Sequence, residues 1–109
     1  MDQREQLAAR LREAYAGLDG IAESKMFGGV AFMVNGNMSC GTAKDGLVVR
    51  VGPALYDDAL MRPHAVHMDF TGRIMRGFVF VKPPGYKADS ALKSWVGISL
   101  SFVSTLTAK

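Results

Sequence analysis

Residues 26–38 read Met-Phe-Gly-Gly-Val-Ala-Phe-Met-Val-Asn-Gly-Asn-Met, and no other stretch of the chain so narrows what it can fold into. Val30, Phe32 and Val34 alternate with Ala31 and Met33, the period of a strand and not of a helix. Asn35-Gly36 then supplies two residues that tolerate positive φ, the requirement of a two-residue hairpin. The chain must therefore double back, with 38–42 as an antiparallel partner. The block holds no nucleophile, general base or metal ligand, so it speaks to fold and not to catalysis. Gly28-Gly29 opens a strand where a phosphate-cradling loop would open a helix, and it predicts a bulge or a close backbone approach.

The flanking segments extend this reading. Asp2 and Glu5 have capping-box spacing, and Leu7, Leu11, Ala14, Tyr15 and Leu18 recur at helical intervals until Asp19-Gly20 stops the helix. The alternating period starts at Lys25. Lys44-Asp45-Gly46 turns the chain into a third strand over 47–51, completing a meander. Gly52-Pro53 breaks the sheet, with Pro53 suited to the first position of a short helix over 54–61. A second hairpin follows, 66–70 and 74–81 around Thr71-Gly72-Arg73, and Pro83-Pro84-Gly85 closes it. Asp89 or Ser90 caps the last helix, whose seam is Leu92, Trp95, Ser99, Phe102 and Leu106. The expected fold is α+β, one domain over 1–109: a two-layer α-β-β-β-α-β-β-α arrangement, its antiparallel sheet carrying the helices on one face.

Composition supports a self-sufficient core. The chain has 109 residues, 49% hydrophobic and 21% charged, ordinary globular usage, and at this length folding buries roughly two-thirds of the unfolded surface. A single cysteine, Cys40, excludes an internal disulfide and a Cys-rich zinc site and reads as a small buried hydrophobe. The N-terminus lacks a basic segment followed by an apolar one, so a cytoplasmic protein is expected. No charge falls between Lys93 and Lys109, yet this stretch is too short and too rich in Ser and Thr to span a bilayer core of about 30 Å. Its broad apolar surface points instead to a helix clamped on two sides, with Trp95, Ile98, Phe102 and Val103 as the interface to a protein partner or to a second copy in a homodimer.

Catalytic and metal chemistry find little support. His64 and His67 lie near Asp57, Asp58 and Asp69, but on an extended segment side chains three apart point to opposite faces, and no third ligand follows from the spacing. Cys40 has no neighbouring base or cation to lower its pKa. Neither an enzymatic activity, a metal nor a cofactor is expected. Charge is unevenly spread: residues 1–72 hold seven Lys/Arg against nine Asp/Glu, a balance of −2, whereas 73–93 hold five against Asp89 alone, a balance of +4. Arg73, Arg76, Lys82 and Lys87 thus form a candidate nucleic-acid surface, with Phe78 beside Arg76 as a stacking ring.

The fold signature Met26, Phe27, Gly28, Gly29, Asn35 and Gly36, with the residues between them, resembles the TfoX N-terminal domain family, bacterial proteins related to the competence regulator TfoX/Sxy. Gly46-Leu47-Val48-Val49-Arg50-Val51, the run from Gly72 to Val81, and Trp95 resemble its later elements, so the likeness covers nearly the whole chain. It implies a two-layer α/β fold and a positive regulator of DNA-uptake genes that acts beside a transcription factor. The resemblance carries over no catalytic residue. Family members of that kind have a further C-terminal domain, and this chain, ending at Lys109, is expected to be a stand-alone copy. The expected function is a non-enzymatic regulatory or adaptor module working through protein contacts. The alternatives are nucleic-acid binding by the last hairpin and a small-ligand site between sheet and helices near His64, His67 or Cys40.

Overall fold

A computed structural model describes residues 3–26, 28–43, 45–70 and 72–108, the Phe70 side chain aside. Asp2 of the predicted capping box, Phe27 of the signature, and Lys44 and Thr71 of two predicted turns lie outside the described residues. The elements run α1 (Gln3–Tyr15), β1 (Ile21–Met26), β2 (Gly29–Val34), β3 (Asn37–Ala43), β4 (Gly46–Arg50), α2 (Tyr56–Leu60), β5 (Ala65–Phe70), β6 (Arg73–Val81), a 3-10 turn (Pro83–Gly85) and α3 (Asp89–Val103). The six strands form one antiparallel sheet in the order β1-β2-β3-β4-β6-β5. This is the expected α+β fold with one strand more than the alternation suggested.

The extra strand is β1. Its middle residues, Ala22, Glu23, Ser24 and Lys25, are exposed, so the segment carries no hydrophobic alternation and owes its order to the backbone ladder with β2. What reads as one strand from Lys25 onward is two, joined through Gly28 at φ +75°. The Asn35-Gly36 hairpin forms as predicted, both residues at positive φ and Val34 pairing with Asn37.

Three boundaries shift. Helix α1 ends at Tyr15, where Gly17 at φ +84° turns the chain, and not at Asp19-Gly20; Leu18 consequently leaves the apolar stripe and is 46% exposed. Helix α2 begins at Tyr56, so Pro53 lies in the preceding turn and not at the first helical position. The cap of α3 is Ala88, which has no side-chain capping bond; Asp89 and Ser90 are already helical, and the Asp89 carboxylate pairs with Arg10 at 3.1 Å.

The main core lies between the sheet and the helices. Leu7, Leu11 and Tyr15 from α1, Tyr56 and Ala59 from α2, and Leu92, Trp95, Val96 and Val103 from α3 close over Phe32, Val49, Val79 and their neighbours. Between Ala31 and Met33 the register of β2 with β3 shifts, opposing Ser39 and Cys40 to a single β2 residue. This bulge turns two consecutive side chains toward the helices. Met38 before it and the Gly41–Ala31 pair after it belong to the opposite face.

Candidate functional site

On the helix side the bulge builds a buried polar node. Ser39 Oγ lies 2.6 Å from the Tyr15 hydroxyl and 2.7 Å from Ser99 Oγ, tying α1 and α3 to the central strand. The Tyr15 ring stacks on Phe32, centroids 5.2 Å apart and planes 4° from parallel. Cys40, beside Ser39, is wholly buried, and burial pushes its thiol up to about 11. Burial likewise raises the Tyr15 phenol far above its ordinary value. The thiol and the three hydroxyls, all buried, make a lock between layers.

The two histidines take separate partners. His67 Nδ1 is 2.8 Å from the Tyr56 hydroxyl of α2. His64 occupies the left-handed region at φ 67°, and its carbonyl accepts from the Lys82 N–H. It lines a cleft of about 370 Å³ with Arg62, Pro84 and Trp95, and no acid is in the lining. Among the described residues no three His, Cys, Asp or Glu come together as a metal would require.

The four basic residues do not converge. Arg73 opens β6 and Lys82 follows its last residue; at about 3.3 Å of rise per residue the two lie about 30 Å apart. Arg76 stays near the first end, Lys87 beyond the second, and all four are exposed. Of the predicted α3 interface, Trp95 and Val103 are each 2% exposed and form part of the chain's own core. Ile98 and Phe102 are half-buried against it. The outward positions of α3 are Asp89, Ser90, Lys93, Ser94, Gly97 and Ser101.

The remaining surface is the sheet face away from the helices. Ala31, Met38, Ala43, Val48 and Met68 form a second, smaller cluster there, and Met26, Met33, Met75, Phe78 and Phe80 pack over it half-buried. Register links Val66, Phe80, Val48, Gly41, Ala31 and Ser24 into one row across all six strands. Arg50 stands at one end of this face. Its guanidinium carbon is 5.5 Å from the Phe78 centroid and 5.4 Å from that of Phe102, and Nη1 donates to the Met38 carbonyl at 3.4 Å. Phe78, read from the sequence as a stacking ring beside Arg76, lies against Arg50 instead. The signal was present: Phe78-Val79-Phe80-Val81 is apolar at every position, the mark of a strand covered on both faces.

The glycine pair plays a structural part. A Cβ on Gly29 would collide with the carbonyl and hydroxyl oxygens of Thr42, whose Oγ1 accepts from the Val30 N–H at 3.0 Å. Close backbone approach is therefore what this position needs. A cleft of about 520 Å³ lies alongside, between Arg4, Arg12 and the two glycines. Arg4 there donates to the Gly28 carbonyl, and both oxygens of Glu23 hold Arg12.

No curated protein and no solved structure matches the chain. Among the described residues no helix is long and apolar enough to cross a membrane. The family model described as the TfoX N-terminal domain matches residues 13–103, which span the whole sheet, α2, α3 and the last three residues of α1. The chain belongs to the TfoX N-terminal domain family.

Proposed function

We propose that this chain is a regulatory module of the competence type, acting through contact with a protein partner and not through catalysis. One observation carries the reading: strands β2, β3, β4 and β6 are apolar on both sides, whereas the helices pack against one side only. A two-layer domain has no internal use for a second apolar face. Family membership supports a regulatory role. The hydroxyls of Tyr15, Ser39 and Ser99 are engaged with one another in the core, which favours binding over chemistry. Nucleic-acid binding by Arg73, Arg76, Lys82 and Lys87 is the weaker reading, because those cations sit in two groups at opposite ends of β6.

The test joins two measurements. The tagged chain is captured from its source cell before and after nuclease treatment, and transcripts are compared with and without its gene. A protein retained in stoichiometric amount after nuclease, together with altered transcripts, is the expected result. Loss of every captured protein on nuclease treatment overturns the protein-contact reading, and unchanged transcripts overturn the regulatory one.

A further inference from the structure

We infer that the bare sheet face takes a helix of a partner protein, one whose apolar stripe is bordered by a carboxylate that pairs with Arg50. The inference rests on the chain being an interaction module and names what its surface accepts. Three observations lead to it.

The face has the chemistry of an adaptable apolar contact. Met26, Met33 and Met75 are unbranched and polarizable, able to repack around ridges of different spacing, and Phe78 and Phe80 add rigid area between them. On the opposite face the same sheet is already covered by helices, and an apolar stripe on a helix is the element that completes such a layer.

The charge on this face is unanswered. Arg50 is half-buried between two rings, and among the described residues no carboxylate lies within ion-pair distance of it. Among the described residues one of its five N–H donors has an acceptor, the Met38 carbonyl at the long distance of 3.4 Å. Stacking holds the guanidinium in place before any ligand arrives, so pairing with a carboxylate costs little further ordering. By contrast Arg10 and Arg12 already have Asp89 and Glu23 as partners.

A second copy of the chain does not fit as well. Its α1 turns Arg4, Glu5, Arg12 and Glu13 outward, and its α3 turns out Asp89, serines, Lys93 and Gly97, so neither offers a large apolar stripe. Two copies stacked face to face would each bring an Arg50, and among the described residues this face holds no acid to answer it. The occupant is therefore a different protein.

The experiment places a photoreactive amino acid at Met33 on this face, and in a separate chain at Ser101 on the outer side of α3, and maps the crosslinked peptides by mass spectrometry in the source cell. Crosslinks from position 33 are expected on a helical segment of another protein with an Asp or Glu beside its apolar stripe. Arg50→Gln should lower their yield by about thirtyfold or more, the order of effect of removing one partner of a desolvated ion pair. Arg50→Glu should abolish them, and exchanging the partner's carboxylate for Arg should restore them. Met26→Glu, which leaves Arg50 in place, should also weaken the contact, and each variant must keep the thermal midpoint and near-ultraviolet spectrum of a folded chain. Crosslinks to a second copy of this chain overturn the inference, as does a yield indifferent to Arg50. Crosslinks from position 101 alone overturn it while leaving the protein-contact function standing. Crosslinks from neither position overturn both.

Discussion

The hydroxyl of Tyr15 on α1 and Oγ of Ser39 in the β3 bulge stand 2.6 Å apart, joined through Ser39 to Ser99 on α3. Three elements distant in sequence thus meet at one serine. Tyr15→Phe removes one bond and leaves Ser39 a partner, so it should cost about 1 kcal/mol. Ser39→Ala leaves two buried hydroxyls to find new partners and should cost about 2–3 kcal/mol. Urea unfolding checks both, with midpoints lowered and slopes unchanged. A Tyr15→Phe, Ser39→Ala double variant should cost less than the sum of the two.

Cys40 makes stability depend on pH in the alkaline range. Its thiol titrates at about 11 in the folded chain against an ordinary value of 9.0, so the folded state keeps its proton longer than the unfolded state. The stabilisation is complete below the unfolded value and is lost as pH rises from about 9 toward 11, amounting to about 2–3 kcal/mol. Cys40→Ala should remove the decline that begins near pH 9, leaving a later one from Tyr15, whose phenol is also raised by burial. Urea midpoints at half-unit steps from pH 7 to about 10.5 check this. In the native chain a disulfide reagent at pH 8 should leave Cys40 unmodified; rapid labelling without unfolding would show the thiol to be accessible.

Two glycines should respond to alanine in opposite ways. At Gly29 the new methyl group meets Thr42 backbone, which cannot move without disturbing the sheet, and the expected loss is about 1–3 kcal/mol. Gly97 lies inside α3 with nothing within 4 Å of the added carbon, and the expected gain is about 0.5–1 kcal/mol. Thermal midpoints moving in opposite directions would bear out both.

Binding of duplex DNA, where measured, should be weak and should show a shallow salt dependence. Arg73 and Arg76 lie at one end of β6 and Lys82 and Lys87 at the other, so a duplex meeting either end neutralises about two phosphates, and the slope of log K against log salt should be about −2. A slope of about −4 or steeper would mean that all four cations act together.

Much of this fold can be read from the residues, and the parts that cannot share a physical cause. Asn35-Gly36 is legible because positive φ admits few residues, and the α3 seam is legible because Leu92, Trp95 and Ser99 repeat at helical spacing. Strand β1 is not: Ala22, Glu23, Ser24 and Lys25 bury little, and what orders them is a ladder with β2 that local composition does not encode. The Tyr15–Ser39–Ser99 node spans separations of 24 and 60 residues and has no local mark. The candidate surface lies between these cases. The continuous apolar run at Phe78 to Val81 announces two buried faces, but only topology shows that one of them lacks a cover.

The bulge at Ser39 and Cys40 also decides where the chain tolerates a change of length. Elsewhere in β3, losing one residue would exchange inner and outer faces along the rest of the strand, carrying Thr42 out and Ala43 in. At the bulge the loss of one residue restores plain alternation and leaves every other side chain of β3 on its present face. The most buried strand of the sheet therefore contains its most forgiving site for an insertion or deletion, and what holds its length there is a pair of hydrogen bonds, not the pleat.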